Sequence, residues 1–152
     1  MNINESTHQP QLRMARSAFC DSVEAIMARP PESGGLLLGP IHSTDITAFH
    51  FDDSGTCTGA MYTPDHATLN RLLREQWLPQ GLDMKGFIHS HPFGYASLSP
   101  GDLRYIRRLL NSNADMDLFA APIVIPGQFL FCPIVVLRDD PHRCHYAKLE
   151  LF

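Results

Sequence analysis

The chain has 152 residues, of which 44% are hydrophobic, and its 12 basic and 16 acidic residues give a net charge of −4. A chain of this length and hydrophobic content can bury the core of one ordinary domain. A nucleic-acid-binding protein would show a basic stripe, whereas the only cluster here is Arg104, Arg107 and Arg108, which we interpret as the solvated face of a helix. No apolar stretch approaches the roughly 18 residues that a membrane helix needs.

Cellular context is indicated by the start of the chain and by its cysteines. The first 14 residues are too polar for a signal peptide, so we expect a cytoplasmic protein. The four cysteines, at positions 20, 57, 132 and 144, are widely spaced and include no Cys-x-x-Cys pair. This spacing favours neither a zinc knuckle nor a disulfide framework. We expect reduced thiols, with Cys20 and Cys132 in the core.

The first part of the chain is predicted to contain a helix and two strands. Residues 1–14 are polar and aperiodic, which predicts a flexible N-terminal segment before a single domain over 15–152. Apolar residues at helical spacing predict an amphipathic helix over 17–28, which two prolines end. The continuous apolar run at 34–39 is typical of a strand buried on both faces, and 45–51 is predicted to be a second strand.

The rest of the chain predicts two more helices and the remaining strands. The helices are expected over 64–78 and 100–110, with an apolar strand over 84–90 between them. Three further strands complete the sheet, at 118–125, 129–138 and 145–151, with a hairpin turn at Pro126-Gly127. The pattern predicts an α/β (α+β) domain in which helices bracket a mixed sheet of about six strands.

Two histidines and an aspartate stand where a strand ends and a helix begins. Strand side chains alternate, so His89 and His91 should point to one side and Ser90 to the other. Ser99-Pro100-Gly101-Asp102 is typical of a helix start, with serine as N-cap. Two imidazoles and a carboxylate suit a catalytic zinc ion, because three protein ligands leave one tetrahedral position open. The alternative is two polar residues at a strand end and a capping acid.

Glu32 is the upstream acidic residue of interest. It lies directly before the buried run at 34–39, and a charged residue entering such a strand has either a partner or a function. The alternative is an exposed loop glutamate. Other metal or nucleophile motifs are missing from the sequence: it has no His-Glu-x-x-His, no deaminase-type Pro-Cys-x-x-Cys and no Gly-x-Ser-x-Gly.

The stretch from His89 to Asp102 resembles the metalloprotease motif of the JAB/MPN (JAMM) family: His-x-His-Pro, six residues, Ser, two residues, Asp. That motif also requires an upstream glutamate, and Glu32 fits it in residue and context. The resemblance covers the chain from Ser17 onward. It implies the JAB/MPN fold, which is cytidine-deaminase-like and mainly antiparallel, and one catalytic Zn²⁺ held by the two histidines and Asp102.

The resemblance also implies roles for two catalytic residues. Zinc lowers the pKa of a water to near 7, and Glu32 would take its proton and pass it to the leaving amine. Ser99 is the additional donor to the carbonyl oxygen in the family pattern. Family members that keep these residues are zinc peptidases, and many cleave the bond after the C-terminus of ubiquitin or a ubiquitin-like protein.

For this chain the resemblance implies a compact prokaryotic member acting on a ubiquitin-like protein or its conjugates, in deconjugation or precursor processing. Activating and conjugating enzymes are the expected functional partners, and some such members act in defence against phage. Residues 51–63 are the candidate substrate-facing insertion, with an ordinary surface loop as the alternative. Two other functions stay open: a non-catalytic interaction module, and a peptidase for sulfur-carrier proteins or small cysteine adducts.

Overall fold

A computed structural model describes residues 9–29, 32–53, 55–58, 61–92 and 96–152. Within these ranges the strands are β1 (Gln11–Met14), β2 (Gly34–Pro40), β3 (Ala48–Phe51), β4 (Thr56–Thr58), β5 (Met61–Thr63), β6 (Leu82–Ser90), β7 (Leu118–Ala120), β8 (Ile123–Ile125), β9 (Leu130–Cys132), β10 (Ile134–Leu137), β11 (Asp140–Tyr146) and β12 (Lys148–Leu151). The α-helices are α1 (Arg16–Met27), α2 (His66–Leu72) and α3 (Pro100–Ser112). A π-helical turn, Leu73–Trp77, and a 3-10 turn, Leu78–Gln80, follow α2.

The main sheet is built around β6. Its strand order is β11-β10-β7-β6-β2-β3, and β8 and β9 branch from it where β8 pairs with the end of β6. β6 is antiparallel to β2 and parallel to β7 and β8, while the other pairs of this sheet are antiparallel. The predicted mixed, mainly antiparallel sheet is therefore confirmed, with six strands on its main path and two on the branch.

Gly86 allows β7 to approach β6 closely. A Cβ atom at this position would lie 1.8 Å from the carbonyl oxygen of Ala120, so no larger residue fits there. Beyond this contact β7 leaves β6, and β8 takes its place, with Ile123 opposite His89. The carboxyl end of β6 thus lies between two strands, β2 and β8.

Both faces of the sheet are covered. Leu37 of β2 and Ile88 of β6 belong to the cluster under α1, whereas Leu36 belongs to the cluster under α2 and Phe87 to the cluster under α3. The continuous apolar run in β2 is therefore buried on both faces, as predicted. Since side chains alternate along β6, His89 shares the α3 face with Phe87, and Ser90 shares the α1 face with Ile88.

The N-terminal prediction is wrong at its end. Residues 11–14 form β1, which pairs in parallel with β12 and buries Leu12 and Met14 in the core. The partner strand is about 137 residues away in sequence (Gln11 opposite Lys148), so local polarity could not reveal this pairing. The predicted flexible segment from residue 1 to 8 lies outside the described residues.

Other boundaries also differ from the predictions. α2 ends at Leu72 and continues as the π-helical turn, and the second strand begins only at Ala48. Cys20 is exposed, because α1 buries the residues at the spacing of Ala18, Ser22 and Ile26, and Cys20 lies off that line. Cys132 is buried, as expected. Among the described helices, none has the length and apolar character required to cross a bilayer.

Candidate metal centre

The end of β6 holds two imidazoles side by side. His89 and His91 are 1% and 2% exposed, and their Nε2 atoms lie 2.8 Å apart. Their backbone amides donate to the carbonyls of Pro122 and Val124 at 3.3 and 2.9 Å, which fixes the strand between its neighbours. Two ring nitrogens this close share either a proton or a cation. The prediction that His89 and His91 point to the same side is therefore confirmed.

Asp102 meets the imidazoles from the first turn of α3. One oxygen of its carboxylate, Oδ2, lies 3.5 Å from Nε2 of His89 and 3.8 Å from Nε2 of His91. Partial burial acts to raise the pKa of the Asp102 carboxyl. Hydrogen bonding and charge from His89, with the two bonds to Ser99, outweigh it and lower that pKa to about 2. Asp102 is therefore an ionised carboxylate at neutral pH and can act as an anionic metal ligand.

Ser99 is the N-cap of α3, as predicted, and it forms a capping box with Asp102. The Asp102 amide donates to Ser99 Oγ, and the Ser99 amide donates to Asp102 Oδ2, both at 3.0 Å. These bonds hold the carboxylate toward the histidines. Ser99 Oγ accepts the bond from the Asp102 amide, and the residue lines a cleft of about 340 Å³ together with His89 and Asp102.

Glu32 reaches the site from the segment before β2. Gly34 pairs with His89 in the β2–β6 register, so Glu32, two residues earlier, extends toward His91. Ligand atoms of Glu32, His89 and His91 all lie within 4.8 Å of one another, and Glu32 is only 7% exposed. The alternative of an exposed loop glutamate is wrong, because the strand pairing carries Glu32 inside.

Ser90 fastens the segment that carries Glu32. Its Oγ accepts a hydrogen bond from the Ser33 amide at 3.0 Å, and its own amide donates to the Ser33 carbonyl at 2.8 Å. Both serines are buried. The residue between the two histidines thus points away from the imidazoles and positions the upstream carboxylate, which the sequence does not reveal because Ser33 is 57 residues away.

We expect Ser90→Ala to lower the free energy of unfolding by about 1–3 kcal/mol, because the buried Ser33 amide loses its acceptor. Urea denaturation would measure the change. The control is Ser112→Ala at the exposed end of α3, which should stay within about 0.5 kcal/mol of the parent. Equal stability of the two variants would contradict the positioning contact.

The donors at the end of β6 fit a tetrahedral metal ion. Zinc bonds of 2.0–2.1 Å to nitrogen and oxygen place neighbouring ligand atoms about 3.3 Å apart. The two Nε2 atoms and Asp102 Oδ2 form a triangle with sides of 2.8, 3.5 and 3.8 Å, which brackets that value. Two imidazoles and one carboxylate are also a ligand set that zinc accepts.

The predicted insertion at 51–63 is a short hairpin of β4 and β5. Asp52 is buried at its base and accepts a hydrogen bond from the Asp65 amide at 3.0 Å, which ties the hairpin to the start of α2. Thr63, at its other end, lines the cleft beside His89. Residues 54, 59 and 60 lie outside the described residues. Contact of this region with a substrate stays a prediction.

Two further residues of the cleft, His66 and Tyr105, were not predicted from the sequence. His66 of α2 and Tyr105 of α3 both line the cleft and contact each other, with a hydrogen bond of 2.7 Å between His66 Nδ1 and the Tyr105 hydroxyl. Burial raises the pKa of Tyr105 to about 12, so this hydroxyl is neutral. The two residues are 39 positions apart and belong to no local motif.

A family model described as prokaryotic homologs of the JAB domain matches residues 13–142. The chain belongs to this family. The match includes the upstream glutamate, both histidines and the aspartate, so the prokaryotic JAB assignment and the site geometry concern the same residues. A search of curated proteins finds no match.

Solved structures show the same fold. A Salinibacter ruber protein is 19% identical, with 93% of this chain and 92% of that one covered and a TM-score of 0.60. A JAB1/MPN domain protein from Archaeoglobus fulgidus is 17% identical, with 93% and 98% covered and a TM-score of 0.55. A Desulfitobacterium hafniense protein is 16% identical, with 93% of each chain covered and a TM-score of 0.58. The chain therefore has the JAB/MPN fold.

Proposed function

We propose that this prokaryotic JAB protein is a zinc-dependent peptidase or isopeptidase that hydrolyses the bond after the C-terminus of a ubiquitin-like protein. The observation that carries the proposal is the meeting of four side chains at the end of β6: His89, His91, Asp102 and Glu32. An interaction module has no physical need for this combination of buried imidazoles and carboxylates. A buried acid and two buried histidines are costly without a ligand or a reaction that uses them.

The residues divide into ligands and reacting groups. His89, His91 and Asp102 would hold the zinc ion through two Nε2 atoms and Oδ2. When bound, zinc supplies a nucleophile at neutral pH, because it lowers the pKa of a water to about 7, and it acts as a Lewis acid. The capping box orients the Asp102 carboxylate toward the two imidazoles.

Glu32 would transfer the proton, and Ser99 would stabilise the negative charge on the carbonyl oxygen. The Glu32 carboxylate takes a proton from the attacking water and delivers it to the nitrogen of the leaving amine. The Ser99 hydroxyl would donate a hydrogen bond to the scissile carbonyl oxygen as negative charge develops on it, and the Asp102 amide already holds Ser99 Oγ in place. The start of α3 thus positions both Asp102, the proposed metal ligand, and Ser99, the proposed hydrogen-bond donor.

The substrate assignment rests on the family and on the sheet edges. Among the described pairings, β9 hydrogen-bonds only to β8, which leaves its other edge open to an added strand. An extended tail bound in this way would gain main-chain hydrogen bonds without a deep pocket. We therefore propose a ubiquitin-like protein or its conjugates as partner, functionally linked to activating and conjugating enzymes, in a system that includes defence against phage.

The test is metal-dependent cleavage. The purified chain should contain about one zinc per molecule and should release a reporter fused to the C-terminus of the ubiquitin-like protein encoded nearest to its gene. A chelator should abolish release, and added zinc should restore it. Bound zinc with no release from ubiquitin-like or sulfur-carrier fusions would instead indicate an interaction module, and release from the sulfur-carrier fusion alone would redirect the substrate.

We expect Ser99→Ala to lower kcat by about 10²- to 10³-fold, the usual effect of losing an oxyanion donor. Loss of the N-cap acceptor should cost only about 1 kcal/mol of stability. Steady-state kinetics, zinc content and thermal unfolding of the same preparation separate the two effects. Parent-like turnover in this variant would leave Ser99 as a capping residue only.

A further inference from the structure

A cationic wall lies beside the candidate metal centre. The cleft of about 340 Å³ is lined by His89 and Asp102 and also by Arg104 and Arg108 of α3. The two arginines are one helical turn apart and exposed. Within the part of the chain that the structure describes, neither guanidinium forms an ion pair or a side-chain hydrogen bond. Asp102, the acid in this wall, already faces the histidines.

This wall differs from an ordinary solvated helix face. Like charges one turn apart on a helix repel each other, and here no described acid compensates them. Arg107 of the same helix does not line the cleft, whereas Arg104 and Arg108 both do. Arg104 and Arg108 are thus exposed, as predicted for this helix face, and they also line the cleft. In a chain with net charge −4, this concentration of positive charge at the site is a local feature.

An apolar cavity adjoins the cleft. It encloses about 130 Å³, shares His66, Phe87 and Tyr105 with the cleft, and continues to Leu69 and Leu73. The bonded pair of His66 and Tyr105 stands where the two spaces meet. The cleft and the cavity together therefore offer a ligand the candidate metal site, two guanidinium groups and a set of apolar side chains.

We propose that Arg104 and Arg108 bind a carboxylate of the substrate next to the scissile bond. The inference rests on the proposed hydrolysis and names the chemistry of the substrate beside the cut. A guanidinium pairs with a carboxylate through two parallel hydrogen bonds, and such charge-assisted bonds are about twice as strong as neutral ones. The carboxylate is either the free terminus of a released amino acid or the side chain of an aspartate or glutamate.

Three matched peptides test this. Each carries the last residues of the ubiquitin-like tail followed by one residue: alanine with a free carboxylate, alanine amide, or aspartic acid α-amide. The zinc-loaded parent should cleave an acid-bearing peptide with kcat/KM at least about tenfold above the alanine amide. Preference for the peptide that ends in alanine with a free carboxylate would identify a terminal carboxylate, and preference for the aspartic acid α-amide would identify a side-chain carboxylate. Arg104→Gln with Arg108→Gln should remove the preference.

The control variant combines Arg71→Gln with Arg107→Gln. It removes the same net charge from α2 and α3 outside the cleft, so it should keep the preference. Equal kcat/KM for all three peptides in the parent would overturn the proposal while leaving the hydrolase intact. A preference that survives loss of Arg104 and Arg108 would overturn it as well.

A binding measurement separates this inference from the proposed function. Calorimetry on zinc-loaded Glu32→Gln protein should give at least about tenfold tighter binding of an acid-bearing peptide than of the amide, and the two arginine substitutions should abolish the difference. If no peptide is cleaved by the parent but this difference is present, the carboxylate subsite stands and the hydrolase proposal fails. Equal binding, or none, overturns the subsite.

Discussion

Glu32→Gln should retain about one zinc per chain and lose about 10²- to 10⁴-fold in kcat. The amide has the shape of the carboxylate but cannot take a proton, and a positioned general base contributes a factor of this size. The substitution is informative because Glu32 is buried and a carboxylate oxygen of it lies within 4.8 Å of the imidazole nitrogens. Zinc content by mass spectrometry and single-turnover kinetics on one preparation would measure both effects.

The zinc content also decides between two roles for Glu32. A base that acts beside the ion leaves the metal bound when it becomes an amide, whereas a direct ligand would release it. Glu24→Gln on the exposed side of α1 is the matched control and should change neither quantity. Full activity in Glu32→Gln would remove this residue as the base, and loss of zinc would make it a ligand.

Asp102→Asn should weaken zinc binding by more than about 100-fold. Removing an outer-shell partner costs 10- to 100-fold, and a direct anionic ligand contributes more. Asparagine keeps an oxygen that can accept from the Ser99 amide, so α3 should begin at the same place. Competition with a chromogenic chelator gives the affinity, and circular dichroism reports the fold.

Asp65→Asn is the matched control, because Asp65 is the N-cap of α2 and its carboxylate, like that of Asp102, accepts a backbone hydrogen bond at a helix start. Its Oδ1 accepts from the Thr68 amide at 3.2 Å. If Asp102 were only a capping acid, the two substitutions would act alike, and zinc affinity would be unchanged in both. A selective loss in Asp102→Asn identifies a ligand.

The sequence predicted that these side chains come together because most of their geometry is local. Alternation along β6 places His89 and His91 on one side, and the capping box places Asp102 at a known point of the helix start. Glu32 needed more: its position follows from pairing of β2 with β6, which the buried character of the run at 34–39 favoured without giving the register. The family resemblance supplied that link.

The features that escaped prediction are contacts between distant segments. β1 pairs with a strand from the other end of the chain, and Ser90 binds Ser33 across 57 residues. Arg104 and Arg108 have an amphipathic helix pattern that is the same whether the polar face meets water or a cleft. Only the position of Thr63 and of the start of α2, which line the same cleft, distinguishes the two.

The pairing of β6 on both edges has a consequence for the metal-free protein. The amides of His89, Ser90 and His91 all donate to carbonyls of adjoining segments, so opening this stretch disrupts the centre of the sheet. Native-state hydrogen exchange should therefore be slowest here, close to the rate set by global unfolding, with or without zinc. The ligand geometry would then precede metal loading, and chelation would inactivate the protein without unfolding it.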